Sequence, residues 1–121
     1  MKVPVKLRYR LWFEREGEYV LGGGVAALLQ SIHELGSLKK AAESLDIPYR
    51  GAWGRIRKAE DALGLPLIES TKDRQKGVSL TPEALRLLEA FQTLDELCCG
   101  DLIARVKEHG FDELDVSGVS H

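Results

Sequence analysis

The chain has 121 residues, with 17 Lys+Arg against 19 Asp+Glu for a formal net charge of −2. At 44% hydrophobic and 30% charged it has the composition of one globular domain, too apolar for a disordered segment. No apolar run approaches the roughly 18–20 residues that cross a bilayer, so a membrane-spanning helix is not expected. The opening MKVPVKLRYR alternates charged with apolar residues and has no secretory h-region. Cys98 and Cys99 are adjacent and lack a Cys or His partner at metal spacing. They fit neither a disulfide framework nor a zinc site, which suits a reducing, cytoplasmic setting without a metal or cofactor.

The mean charge hides an asymmetry. Residues 37–76 hold nine Lys/Arg against six Asp/Glu, an excess of three positive charges, whereas residues 77–121 hold three against nine. The middle third could therefore face a polyanion, and the last third could not. The acidic total by itself is no argument for nucleic acid.

In chain order, Val5, Leu7, Tyr9, Leu11 and Phe13 alternate with polar residues up to Glu14, which predicts one half-buried strand. Residues 15–18 read as a turn, and Tyr19-Val20-Leu21 as a short return strand. After Gly22-Gly23-Gly24, the spacing of Val25, Leu28, Leu29, Ile32 and Leu35 predicts an amphipathic helix that Gly36 ends. Ser37 is placed to cap a second helix with Leu38, Ala41, Ala42 and Leu45 as its apolar stripe.

A short turn through Pro48 leads to a third helix over about 48–63, with Ala52, Ile56, Ala59 and Leu63 inward and Gly64 as its stop. Residues 67–70 and 78–80 read as strands around a polar loop, 71–77. Thr81 and Pro82 then open a long helix. Gly100 is expected to interrupt that helix and Asp101 to cap a short last one, leaving an acidic, frayed tail. The expected organisation is one domain over 1–100, with 101–121 as short helix and tail.

Two short helices on a tight turn, followed by strand, basic loop and strand, fit a winged helix-turn-helix. The same pattern also fits a small helical domain carrying a hairpin. The residues narrow the choice. Gly36-Ser37-Leu38, Ala41-Ala42, the segment from Tyr49 to Trp53 and Leu80-Thr81-Pro82 resemble the amino-terminal domain of the ModE family of molybdate-responsive regulators. More distantly, they resemble the DNA-binding domain of LysR-type regulators. The likeness covers about residues 5–97.

It implies a mainly α fold with small β hairpins: a winged helix-turn-helix with an amino-terminal hairpin and a long carboxy-terminal dimerisation helix. It also implies sequence-specific binding of double-stranded DNA by a homodimer. Full-length ModE proteins carry further molybdate-binding domains. The present sequence has no segment matching them, so no molybdate site is expected, and a ligand-free or partner-controlled regulator is implied. Pro48 stands where the family often places a small polar cap.

On a helical wheel Arg50, Gly54, Arg57 and Lys58 fall opposite the apolar stripe of the third helix, with Gly51 at the edge. Arg50, in the amino-terminal half, is the candidate for bidentate contact with a guanine. Gly51 and Gly54 would admit the backbone to the groove, and Arg57 and Lys58 would reach phosphates. Trp53 is expected to pack on the first helix, while Tyr49 suits either packing or the groove. Ser37, Lys39 and Lys40 stand where helix N–H groups favour a phosphate, although Ser37 also serves as a plain cap. Lys72, Arg74 and Lys76 in the wing suit either sugar-phosphate contact or a solvated hairpin tip.

In the long helix, Leu85 and Leu88 are expected to face the domain core. Leu87, Phe91, Leu94 and Cys98 would then remain for a dimer contact. A protein-interaction module that kept the fold without specific DNA binding is the alternative. An enzyme is not expected, because the sequence has no nucleophile with its base, no phosphate-binding glycine loop and no metal cluster.

Overall fold

The computed structural model describes residues 4–71, 77–111 and 113–119. Its centre is α1 (Gly23–Leu35), which leaves strand β3 (Glu18–Gly22) directly and buries Val25, Leu28, Leu29 and Ile32. Gly36 ends it in the left-handed region at φ 66°, and its N–H donates to the Ile32 carbonyl at 2.8 Å. That conformation suits a residue without Cβ and satisfies an otherwise orphan carbonyl.

The next residue starts another helix. The Ser37 Oγ accepts from the Lys40 N–H at 3.2 Å, capping α2 (Leu38–Ser44) as the sequence predicts. Asp46, at φ 55°, turns the chain into α3 (Tyr49–Leu63). Ala52, Ile56 and Ala59 are buried as expected, joined by Ala62, while Leu63 is half-buried. Small alanines let α3 approach closely, and Gly64, at φ 77°, ends it.

The wing consists of β4 (Ile68–Ser70) and β5 (Val78–Leu80), paired antiparallel with Ile68 opposite Leu80. It is fastened to the helices by backbone. Val78 donates to the Gly36 carbonyl at 3.1 Å, and Thr81 donates to the Leu67 carbonyl at 3.0 Å. The buried Thr81 hydroxyl also donates to the Pro66 carbonyl at 2.9 Å and accepts from the Ala84 N–H at 3.2 Å. It thereby caps α4 (Pro82–Glu108). The fold is mainly helical with small two-stranded sheets and one long last helix, in agreement with expectation.

Four details differ from the sequence reading. The alternating segment is two strands, β1 (Val5–Tyr9) and β2 (Trp12–Arg15), in different sheets. β2 pairs antiparallel with β3 around Glu16-Gly17, both at positive φ (52° and 81°), the backbone of a two-residue hairpin turn. β1 pairs in parallel with β6 (Leu114–Gly118), from Val5 opposite Leu114 to Tyr9 opposite Gly118. The carboxy-terminal segment is thus an ordered strand, because β1 offers a free edge for its backbone groups.

α4 passes through Gly100 without a break. One interior glycine costs about 1 kcal/mol relative to Ala, too little to outweigh the packing of the helix on both sides of it. The Tyr9 hydroxyl braces that region by donating to the Asp95 carbonyl at 3.2 Å and to its Oδ1 at 3.0 Å. Burial, then the hydrogen bond to Asp95, push that hydroxyl well above the ordinary tyrosine range.

The fourth difference concerns Phe91, which is not left over for a partner. It is only 5% exposed and meets Phe13 edge to face, with ring centroids 5.7 Å apart at 76°. β2 supplies that neighbour. Leu85, assigned to the core from its spacing, is 38% exposed instead. Phe91→Ala should therefore cost about 3–5 kcal/mol, whereas Leu85→Ala should cost less than about 1 kcal/mol. Urea denaturation of the two variants beside the parent protein measures both, and equal losses would contradict this packing.

Candidate nucleic-acid interface

α3 lies between two β hairpins. One flank packs toward β4 and β5, where Trp53 and Arg57 share a cleft with Ile68, Ser70 and Val78. The other flank faces β2 and β3, and Arg15 Nη1 donates to the Ala62 carbonyl at 3.3 Å across that seam. Burial of Ala52, Ile56 and Ala59 against the core leaves a single outward strip. Arg50, Gly54, Arg57 and Lys58 are all exposed on it, with exposed Gly51 at its edge. The structure thus brings together the α3 residues that the sequence selects.

Among the described residues, none of Arg50, Arg57 and Lys58 enters an ion pair. A Cβ placed on Gly54 would meet nothing within 4 Å, so packing does not require its missing side chain. Two interior glycines each cost a helix about 1 kcal/mol, and here the gain is a thin, open surface on the outward side. Roughly three turns beyond Arg50, exposed Asp61 stands on the same strip. Its carboxylate would repel phosphate, which limits the cationic surface to the amino-terminal two-thirds of α3.

Trp53 is half-buried against the core and also forms the middle of a ladder along α3. Tyr49 meets it edge to face at 6.4 Å and 89°, and the Arg57 guanidinium lies 5.2 Å from its ring centroid. The 49, 53, 57 spacing puts each group one turn above the last. Cation–π contact, worth about 0.5–1 kcal/mol at an exposed site, holds Arg57 before any ligand arrives. Tyr49, 49% exposed, serves as an outer rung and also borders the groove lined by Lys39, Glu43 and Ile47.

Pro48 provides no side-chain cap at the start of α3. At the neighbouring helix, the Ser37 cap is formed, and Lys39 and Lys40 are exposed beside it. Lys72, Arg74 and Lys76 lie outside the described residues. Along α4, Leu87 is half-buried, Leu94 and Cys98 are exposed, and Phe91 belongs to the core. Leu97, 63% exposed beside Leu94 and Cys98, was not selected from the sequence, although its helical spacing could have found it. Arg55 and Arg10 were also missed. Arg55 projects from α3 toward the hairpin and Arg10 meets it from the other side, a juxtaposition that depends on where β2 and β3 dock.

Comparison with known proteins agrees with this geometry. Residues 26–85 match the family model described as bacterial regulatory helix-turn-helix protein, lysR family. This stretch is similar to the LysR-type helix-turn-helix. The chain also resembles the transcriptional regulator ModE of Haemophilus influenzae, with 30% identity over 86 residues, 69% of this chain and 30% of that protein. The molybdenum transport protein ModE of Herbaspirillum seropedicae is 34% identical over 70 residues, 56% of this chain and 26% of that protein. The chain therefore spans less than a third of either relative's length.

Among solved structures, the CbnR DNA-binding domain in its DNA complex superposes with a TM-score of 0.56 at 22% identity. That match covers 70% of this chain and 93% of the other. It shows a shared winged helix-turn-helix fold. The cap at the α1–α2 junction supports the local geometry, so Ser37→Ala should lower stability by about 1 kcal/mol. Thermal or urea unfolding that leaves the protein unchanged would show that the Ser37 hydroxyl contributes nothing to the helix.

Proposed function

We propose that the chain is a DNA-binding transcription regulator acting as a homodimer. α3 enters the major groove and the wing rests on the backbone. The observation carrying this reading is the outward strip of α3, where Arg50, Arg57 and Lys58 accompany two glycines that packing does not require. The likeness of residues 26–85 to the LysR-type helix-turn-helix and the likeness to a domain solved with DNA support it.

Arg50 reads a base edge through its planar fork, while Arg57, steadied by Trp53, and Lys58 engage phosphates. Ser37, Lys39 and Lys40 meet the backbone from the start of α2. Tyr49, Gly51 and Gly54 form the floor that the groove approaches. Lys72, Arg74 and Lys76 in the wing add contacts along the sugar-phosphate, a role assigned from sequence alone.

Arg50→Ala should cost about 1–3 kcal/mol on a selected operator and relax the preference at one base pair per half-site. Lys40→Ala should weaken all duplexes alike and reduce the salt slope by about one unit per subunit. Binding to operator and scrambled duplexes at several salt concentrations separates the two effects. If both variants bind every duplex as the parent does, the reading fails and a protein-interaction module becomes the better account.

The dimer rests on α4. Leu94, Leu97 and Cys98 form an exposed apolar strip, with half-buried Leu87 at its border with Ala84, Leu88 and Phe91, which face the core. Pairing two such strips would hide it and place two α3 helices on half-sites roughly 34–36 Å apart. Leu94→Glu should shift the protein from dimer to monomer in sedimentation at about ten micromolar while leaving its helix content intact. A parent protein that sediments as a monomer there would remove the dimer.

A further inference from the structure

On the flank of α3 away from the wing lies a cleft of about 560 Å³, within the range of small-molecule sites. Its walls come from two parts of the chain distant in sequence. Arg10 and Trp12 stand at the junction of β1 with the hairpin, and Arg55 and Lys58 project from α3. The floor is apolar, built from Val20, Val25 and Ala59 with the ring of Tyr19. Three cations therefore surround an apolar surface, and among the described residues no acidic one lines it. Among the described residues, none of the three enters an ion pair.

Several features indicate that the cleft is built and not incidental. The Trp12 ring is turned by a hydrogen bond from its Nε1 to Glu14 Oε1 at 2.8 Å, so its polar edge is already satisfied. A Cβ at Gly22 would collide with the Tyr19 hydroxyl, so that glycine makes room for the ring. Burial raises the Tyr19 hydroxyl above its ordinary range, and the charges of Arg55 and Arg10 pull against that rise. Both guanidinium groups are thus felt at the floor of the cleft.

We infer that this cleft binds a small organic anion with a flat apolar body, of which an aromatic carboxylate is the simplest example. Arg10 and Arg55 clamp the carboxylate, since a guanidinium fork matches its two oxygens. The body of the ligand lies on Val20, Val25 and Ala59 beside the Trp12 ring. An inorganic oxyanion or a DNA phosphate would satisfy the cations but leave that floor wet, and an uncharged aromatic would leave the cations unpaired. Occupancy does not depend on the proposed DNA binding. Its effect on DNA does, because Arg55 and Lys58 belong to α3.

Trp12 and Trp53 are the two tryptophans of the chain, so Trp53→Phe leaves Trp12 as an internal reporter. Phenylacetate titrated into that variant should change Trp12 fluorescence saturably, with a dissociation constant of about 1 mM. Arg10→Ala and Arg55→Ala should each weaken binding by about tenfold or more, while Arg86→Ala should not alter it. Both arginines are exposed, and an unchanged melting temperature checks that their variants remain folded.

No saturable change, or an equal response from both arginine variants and the parent, overturns the proposal. A matching response to phenylethanol reduces the site to an apolar crevice. Equal competition by sulfate reduces it to a general anion patch, and either result also overturns the proposal. Duplex binding measured without phenylacetate tests the DNA reading separately, so either idea can fail while the other stands.

Discussion

Everything else in this fold is arranged around the need to bury α1. Leu28, Leu29 and Ile32 are wholly inaccessible to solvent, while Ala27, His33 and Glu34 keep an outer face of the helix wet. α2 and α3, strand β3, the wing strand β5 and α4 all pack against it. Covering a helix on several sides replaces exposed apolar area with contacts, at roughly 25 cal/mol per Å² removed from water. The arrangement also fixes α3, whose alanines press close to the core and leave one narrow strip of it facing outward.

Rigidity at the interface follows from short connections. The α1–α2 junction uses only Gly36 and Ser37, and the Gly36 carbonyl receives the first hydrogen bond of the returning wing strand. The positions of α2 and the wing are therefore set by one corner of the backbone. On α3 itself, the Tyr49–Trp53–Arg57 ladder restrains an arginine that would otherwise sample many rotamers. Less entropy is then lost when that side chain meets an anion.

Local chemistry was legible in the sequence because caps and helix periods act over a few residues. Gly36, Ser37, Gly64 and the Thr81-Pro82 pair mark their helix ends where expected. Most of the α3 strip follows from the same helical period. Long-range pairing left no comparable mark. Residues 5–14 alternate continuously, yet the chain changes sheets after Tyr9, because β1 finds its partner in residues 114–118 and β2 finds its partner across the hairpin. The face of α4 that meets the core was displaced for a related reason: Phe13 covers Phe91, and nothing near Phe91 in sequence announces it. Arg10 and Arg55 escaped notice because the seam between them exists only once the hairpin docks on α3.

The parallel pairing of β1 with β6 also sets a timetable for synthesis. Val5 waits for Leu114, a partner more than a hundred residues downstream. At about 5–20 residues per second, translation leaves the first strand without its mate for roughly 5–20 s. The hairpin β2–β3, the helix-turn-helix and the wing need only nearer contacts and can form in that interval. Closure of the β1–β6 ribbon cannot precede the synthesis of residues 114–118, whereas every partner of the hairpin and the wing is already made by then. Until then β1 presents an open edge to any other extended chain, the kind of edge through which nascent chains exchange strands.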